Sequence, residues 1–165
     1  MALISARTIV TSLSLFHITL GFFFWTNPVS VADQALVYVL GEALGIPHSR
    51  AFDAPSPALA FLGVVLATIG ITDLVTLSLP DEVCLVHYWG TQAPVRVLLA
   101  GVSLGVSFLA GRRRRSLHTG VHNRVFFAFM LLETISWCWL WVTLREERVQ
   151  LQARKASRRR SQVYN

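Results

Sequence analysis

Residues 57–79 read PALAFLGVVLATIGITDLVTLSL, an uninterrupted apolar run in which Asp73 is the only charged side chain. A helix of about 20 apolar residues crosses the roughly 30 Å hydrocarbon core of a bilayer. Because lipid offers no hydrogen bonds to the backbone, such a run must pair its own N–H and C=O groups as a helix. This stretch therefore predicts a membrane-spanning helix, with Pro57 at its first position and Pro80 just beyond its end.

Three further runs of the same kind lie at 8–25, 93–111 and 125–144. The four runs contain only three charged residues, Asp73, Arg96 and Glu133, although the chain has 15 Lys and Arg and 9 Asp and Glu. The composition is 53% hydrophobic and 15% charged, against about 25% charged in soluble domains, which argues against a soluble enzyme or a disordered chain. We predict an all-α, polytopic membrane protein whose four transmembrane helices form one domain over residues 1–145.

The first run has some features of a signal peptide, because Arg7 precedes it and Ser30-Val31-Ala32 resembles a cleavage site. The run is nevertheless longer than the apolar core of a usual signal peptide, and it ends in the bulky sequence Phe22-Phe23-Phe24-Trp25. We therefore expect an uncleaved membrane anchor. The two cysteines, Cys84 and Cys138, do not indicate a disulfide framework.

A short amphipathic helix is predicted over Val31–Leu44, where about fourteen residues are too few to cross the membrane. Its start is indicated by Ser30 in a capping-box-like sequence, and its end by Gly45 and Pro47. Its polar residues occupy one half of the helical circumference. We expect this helix to lie along the membrane interface.

A second short amphipathic helix is predicted from Pro80 to Gly90, after which residues 91–94 should turn the chain into the third span. Tyr88 and Trp89 at its end are typical of the aromatic belt at the interface. Beyond the fourth span, residues 146–165 form a basic tail. We expect the beginning of this tail to continue the helix and the rest to be disordered.

Basic residues flank the spans on both sides of the membrane, so the positive-inside rule gives conflicting signals. The basic tail favours cytosolic termini, whereas the arginine run after the third span favours the opposite orientation. We predict cytosolic termini and assign the net charge of +6 to lipid contact, not to a nucleic-acid partner. Anionic headgroups are expected at the tail and at Arg112, Arg113, Arg114 and Arg115.

Several short runs resemble the fungal "increased loss of mitochondrial DNA" protein family over about residues 1–145. They are SVADQALV at 30–37, GEALGIP at 41–47, PSPALAFL at 55–62, TDL at 72–74 and, most specifically, YWGTQAPVR at 88–96. The resemblance implies a small multi-span protein of the endoplasmic reticulum that affects mitochondrial DNA indirectly, through lipid supply, ion balance or organelle contacts. It implies no catalytic residue and no cofactor.

Four ionisable side chains lie inside the predicted spans, namely His17, Asp73, Arg96 and Glu133. Each charged group costs about 2.5–3.5 kcal/mol to insert, and such groups usually face partners inside the bundle. Because a short connection joins spans two and three on the side where Asp73 and Arg96 lie, we predict an ion pair between them. His17 and Glu133 are expected to pair across spans one and four.

The favoured interpretation is a non-enzymatic membrane protein with a structural or membrane-homeostasis role and no metal or cofactor, because no metal-ligand spacing is present. One alternative is a cation or proton channel or transporter that uses Glu133, Asp73 and His17. The other is a lipid- or sterol-binding, isomerase-like protein, in which Glu133 and Trp137 lie one helical turn apart.

Small residues form close-packing faces on two of the spans, with Gly63 and Gly70 in span two and Gly101 and Gly105 in span three. Such faces let two helix backbones approach closely. Packing within the bundle is the expectation, and homo-oligomerisation is the alternative.

Overall fold

The computed structural model describes residues 4–80, 82–112 and 120–163, with side chains in 4–80, 82–110 and 120–153. Four long helices correspond to the four predicted spans: α1 (Ala6–Thr26), α4 (Pro57–Thr76), α5 (Trp89–Arg112) and α6 (Arg124–Val163). All four regions are long and apolar enough to cross a membrane. The predicted all-α, polytopic fold with four spans is therefore confirmed.

The segment between α1 and α4 contains two short helices, α2 (Pro28–Ala32) and α3 (Ala35–Leu44). The prediction of one helix over 31–44 is wrong, because the helix begins earlier and is interrupted at Asp33. Asn27 caps α2 by accepting a hydrogen bond from the Ser30 backbone N–H, and Pro28 occupies the first helical position, so this pair is a stronger start signal than Ser30. The predicted end is confirmed, since Gly45 adopts the left-handed conformation with φ 64°.

The third span is longer than predicted, because a π-helix over Glu82–Tyr88 leads directly into α5. The predicted turn at 91–94 is wrong, and Pro94 lies inside the helix. A break in the helix would leave several backbone groups without partners in lipid, whereas the one carbonyl freed by a proline can be satisfied by neighbouring groups or local helix adjustments.

The basic tail continues α6 to Val163, so the described residues of its later part are helical and differ from the predicted disorder. Its first part is helical as predicted, and residues 146–154 are rich in good helix formers. The side chain of Glu147 accepts a hydrogen bond of 2.8 Å from the Ala6 backbone N–H at the start of α1.

Residues 113–115 of the arginine run lie outside the described residues, and their contact with headgroups stays a prediction.

Two pairs of helices pack closely, α1 against α4 and α5 against α6. A Cβ atom on Gly21 would lie 2.5 Å from the Gly63 carbonyl oxygen, and a Cβ atom on Gly63 would lie 2.5 Å from the Gly21 carbonyl oxygen. The predicted close packing of span two is thereby confirmed. It is wrong for Gly101 and Gly105 of α5, since nothing in the described chain would lie within 4 Å of a Cβ at either position.

Two apolar clusters fill the interior at opposite ends of the bundle. The first combines the start of α1, the π-helix, the start of α5 and the half of α6 after Glu133. The second combines the end of α1 with α2, α3, α4 and the start of α6. The buried polar residues His17 and Glu133 lie between the two clusters, and this middle layer contains the candidate site.

Candidate functional site

Asp73 and Arg96 form the predicted ion pair, which joins α4 to α5. Arg96 donates a hydrogen bond from Nη1 to Asp73 Oδ2 (2.6 Å) and another from Nη2 to Asp73 Oδ1 (2.9 Å). Asp73 is only 2% exposed. A guanidinium that binds a carboxylate through two parallel hydrogen bonds satisfies both carboxylate oxygens and fixes the orientation of both groups.

The Arg96 guanidinium also contacts two tryptophans that are stacked on each other. Its central carbon lies 4.6 Å from the ring centroid of Trp137 and 5.2 Å from that of Trp89. The centroids of the two indole rings are 5.6 Å apart, and the ring planes are inclined by 20° to each other. A cation over an aromatic face gains electrostatic attraction, which is larger where water is excluded.

Glu133 and His17 form the second predicted pair, which joins α6 to α1. His17 Nε2 lies 2.8 Å from Glu133 Oε1, and Trp137 Nε1–H donates to Glu133 Oε2 over 2.6 Å. Both carboxylate oxygens therefore have a partner. When Glu133 is ionised, the His17 ring must donate through Nε2, because a carboxylate has no proton to offer.

These contacts connect five residues from four helices into one network: Asp73 binds Arg96, Arg96 lies over Trp137, and Trp137 donates to Glu133, which binds His17. The two charge pairs each connect a helix of the α1–α4 pair with a helix of the α5–α6 pair. The predicted site residues are thus brought together in one layer, although the sequence predicted two separate pairs.

A cavity of about 330 Å³ lies beside this network and is bordered by all four spans. His17, Arg96, Glu133 and Trp137 line it on one side, and the rest of its lining is mostly apolar. Two buried atoms at His17, its own Nδ1 and the nearby Ser14 Oγ, have no hydrogen-bond partner among the described residues.

In this layer the carboxylates of Asp73 and Glu133 are paired with protein side chains. The layer offers the Asp73 carboxylate to Arg96, and both carboxylate oxygens of Glu133 have protein partners. In the part of the chain that the structure describes, no three His, Cys, Asp or Glu side chains lie close enough to hold a metal ion.

Sequence reasoning missed how much of this architecture depends on the run YWGTQAPVR at 88–96. Trp89 and Arg96 belong to the polar layer, and Gly90 leaves space for the guanidinium of Arg148, which donates to the Val86 carbonyl oxygen (2.8 Å). No spacing rule reveals the contact with Arg148, because that residue is about sixty positions away on α6. The dense mixture of aromatic, small and charged residues in this run was the available signal.

A family model described as increased loss of mitochondrial DNA protein 1 matches residues 4–154. Neither a curated protein nor a solved structure matches the chain significantly. The matched range includes all four spans and every residue of the polar layer.

Proposed function

Because the chain belongs to the increased loss of mitochondrial DNA protein 1 family, we propose that it is a non-enzymatic protein of the endoplasmic reticulum membrane with a structural or membrane-homeostasis role. Its membership is consistent with a role in mitochondrial DNA maintenance, and its four apolar helices make it a multi-pass membrane protein. In this proposal the effect on mitochondrial DNA is indirect, and both termini face the cytosol.

The pairing of the intramembrane charges is the observation that supports a structural role. Asp73 receives two hydrogen bonds from Arg96, and Glu133 has one hydrogen-bond partner at each oxygen, Trp137 and His17. A group that relays protons or binds ions must exchange its partners for water or an ion. Here each carboxylate is held by fixed protein donors, which favours a role in joining the two helix pairs.

The cavity beside Glu133 favours a second candidate function, the binding of an apolar lipid or sterol. Its lining is mostly apolar with a few polar groups on one side, which is the usual character of small-molecule sites. This candidate differs from the first in requiring a ligand for function.

The proposed function is tested in cells from which the endogenous family member has been deleted. The full-length chain should colocalise with a marker of the endoplasmic reticulum and restore retention of mitochondrial DNA. Across a series of substitutions in the polar layer, a structural role predicts that the phenotype follows the amount of folded protein. A mitochondrial location, or a well-folded variant without phenotype rescue, would contradict the proposal.

A further inference from the structure

A second buried cation lies outside the polar layer, at the start of α6. The side chain of Arg124 is 11% exposed, and its Nε–H is buried without a hydrogen-bond partner among the described residues. Arg124 Nη2 lies 3.8 Å from Asp33 Oδ1. The central carbon of the guanidinium lies 5.5 Å from the ring centroid of Tyr38. A buried guanidinium with unused donors is costly, and its five N–H groups are suited to an anion such as phosphate.

The surrounding chain is built to hold Arg124 in this position. Its backbone N–H donates to the Pro47 carbonyl oxygen over 3.1 Å. A Cβ on Gly41 would lie 2.9 Å from the Arg124 Cβ, so only glycine leaves the arginine this space. The run GEALGIP at 41–47 thus contacts the Arg124 side chain at Gly41 and the Arg124 backbone at Pro47, and the proposed function gives these contacts no role.

An apolar groove of about 280 Å³ begins next to the arginine. It is enclosed by three walls, from α1, from α6 and from α2 with α3. Its near end is lined by sequence neighbours of the residues around the arginine. Val125 directly follows Arg124, Gln34 directly follows Asp33, and Val37 directly precedes Tyr38. The α3 wall distinguishes it from an ordinary lipid-facing helix surface.

The groove extends from the start of α6 towards the middle of the bundle. On α6 its lining runs from Val125 to Leu132, which is about 10 Å at 1.5 Å per residue. At the deep end Phe16 and Phe129 are stacked with centroids 6.3 Å apart, and Phe129 separates the groove from the cavity beside Glu133, since it lines both.

We propose that this groove binds one zwitterionic glycerophospholipid, with the phosphate at Arg124, the headgroup ammonium at Asp33 and one acyl chain along α1 and α6. The charges support this occupant. Arg124 supplies a cation whose contact with Asp33, at 3.8 Å, is too long for a hydrogen bond, and Asp33 supplies an exposed anion beside it. An apolar slot starts where a glycerol backbone would follow the phosphate.

Binding is measured by native mass spectrometry of the full-length protein in mild detergent, titrated with dioleoyl phosphatidylethanolamine. One tightly held equivalent is expected. Arg124→Gln should weaken its apparent Kd at least tenfold, whereas Arg145→Gln, which changes an exposed arginine at the other end of the α6 span, should stay within twofold. Dioleoylglycerol, which has the same chains without the phosphate, should bind wild type at least tenfold more weakly.

A second variant blocks the groove without removing the arginine. Thr19 lines the groove and is exposed, so Thr19→Phe should weaken binding at least fivefold, and Leu15→Phe on the open face of α1 should not. Failure of wild type to hold one lipid, or equal binding of dioleoylglycerol, overturns the proposal whether or not the variants fold. The cellular role is scored separately by complementation, so either proposal can fail alone.

Discussion

Arg96 on α5 donates two hydrogen bonds, of 2.6 and 2.9 Å, to Asp73 on α4, and thereby joins two helices that belong to different packed pairs. A carboxylate that is 2% exposed depends on this partner for compensation of its charge. The pair therefore fixes the relative position of the α1–α4 and α5–α6 pairs.

Removal of one partner of this pair should cost more than removal of both. Asp73→Asn leaves the Arg96 guanidinium uncompensated, and Arg96→Gln leaves the carboxylate alone. Breaking a buried pair in this way costs about 3–5 kcal/mol, whereas neutral replacement of both partners costs less. Steady-state protein levels should be lowest in the single variants and partly restored in Asp73→Asn/Arg96→Gln. A double variant no better than the worse single variant would show that the two residues act independently.

Close packing of α1 on α4 should be sensitive to a single methyl group. Gly63→Ala places a Cβ about 2.5 Å from the Gly21 carbonyl oxygen, and backbone cannot move aside as cheaply as a side chain. We expect a loss of about 1–3 kcal/mol of stability, measured as a lower melting temperature in detergent. Gly105→Ala is the matched control, because that Cβ would meet nothing within 4 Å in the described chain. Equal melting temperatures for the two variants would refute the close approach.

The contact between Gly90 and Arg148 should behave as one interaction. A Cβ on Gly90 would overlap the Arg148 guanidinium, which would then lose its hydrogen bond to Val86. A hydrogen bond from a charged donor contributes about 1.5–3 kcal/mol, so Gly90→Ala and Arg148→Gln should each destabilise the protein by that order. In the double variant the losses should not add. Full additivity in thermal unfolding would mean that the two residues do not meet.

The four-span topology predicts that the loops on either side of α4 face opposite sides of the membrane. Glycosylation acceptor sequences inserted at residue 50 and at residue 80 lie in these two loops. With cytosolic termini, only the acceptor at residue 50 should be modified. Modification of both, or of neither, in a stably expressed protein would contradict this topology.

The spans and both charge pairs were predictable from sequence for physical reasons. Apolar length decides which segments cross lipid, and an intramembrane charge must find a partner at its own depth. Those two constraints suffice to pair Asp73 with Arg96 and His17 with Glu133.

The remaining features depend on how the helices cross in space. The spacing of residues in the sequence does not specify these crossings. The break at Asp33 and the helical course through Pro94 result from local competition between start signals and backbone pairing in lipid. The approach of Arg148 to Gly90, and that of Arg124 to Gly41, depend on the orientation of α6 relative to α5 and α3.

The substitution Glu133→Gln tests the central claim that the polar layer is structural. The glutamine oxygen can accept from Trp137, and its amide can donate to His17 in the other neutral tautomer, so the network persists without the negative charge. In cells that lack the endogenous family member, protein level and mitochondrial DNA retention should be scored separately. We predict a protein level within about twofold of wild type, since a neutral hydrogen bond replaces a charged one at a cost of about 1–2 kcal/mol, and full retention of mitochondrial DNA. A protein that folds at the wild-type level but fails to retain mitochondrial DNA would show that the Glu133 charge itself is required, and would contradict the structural account.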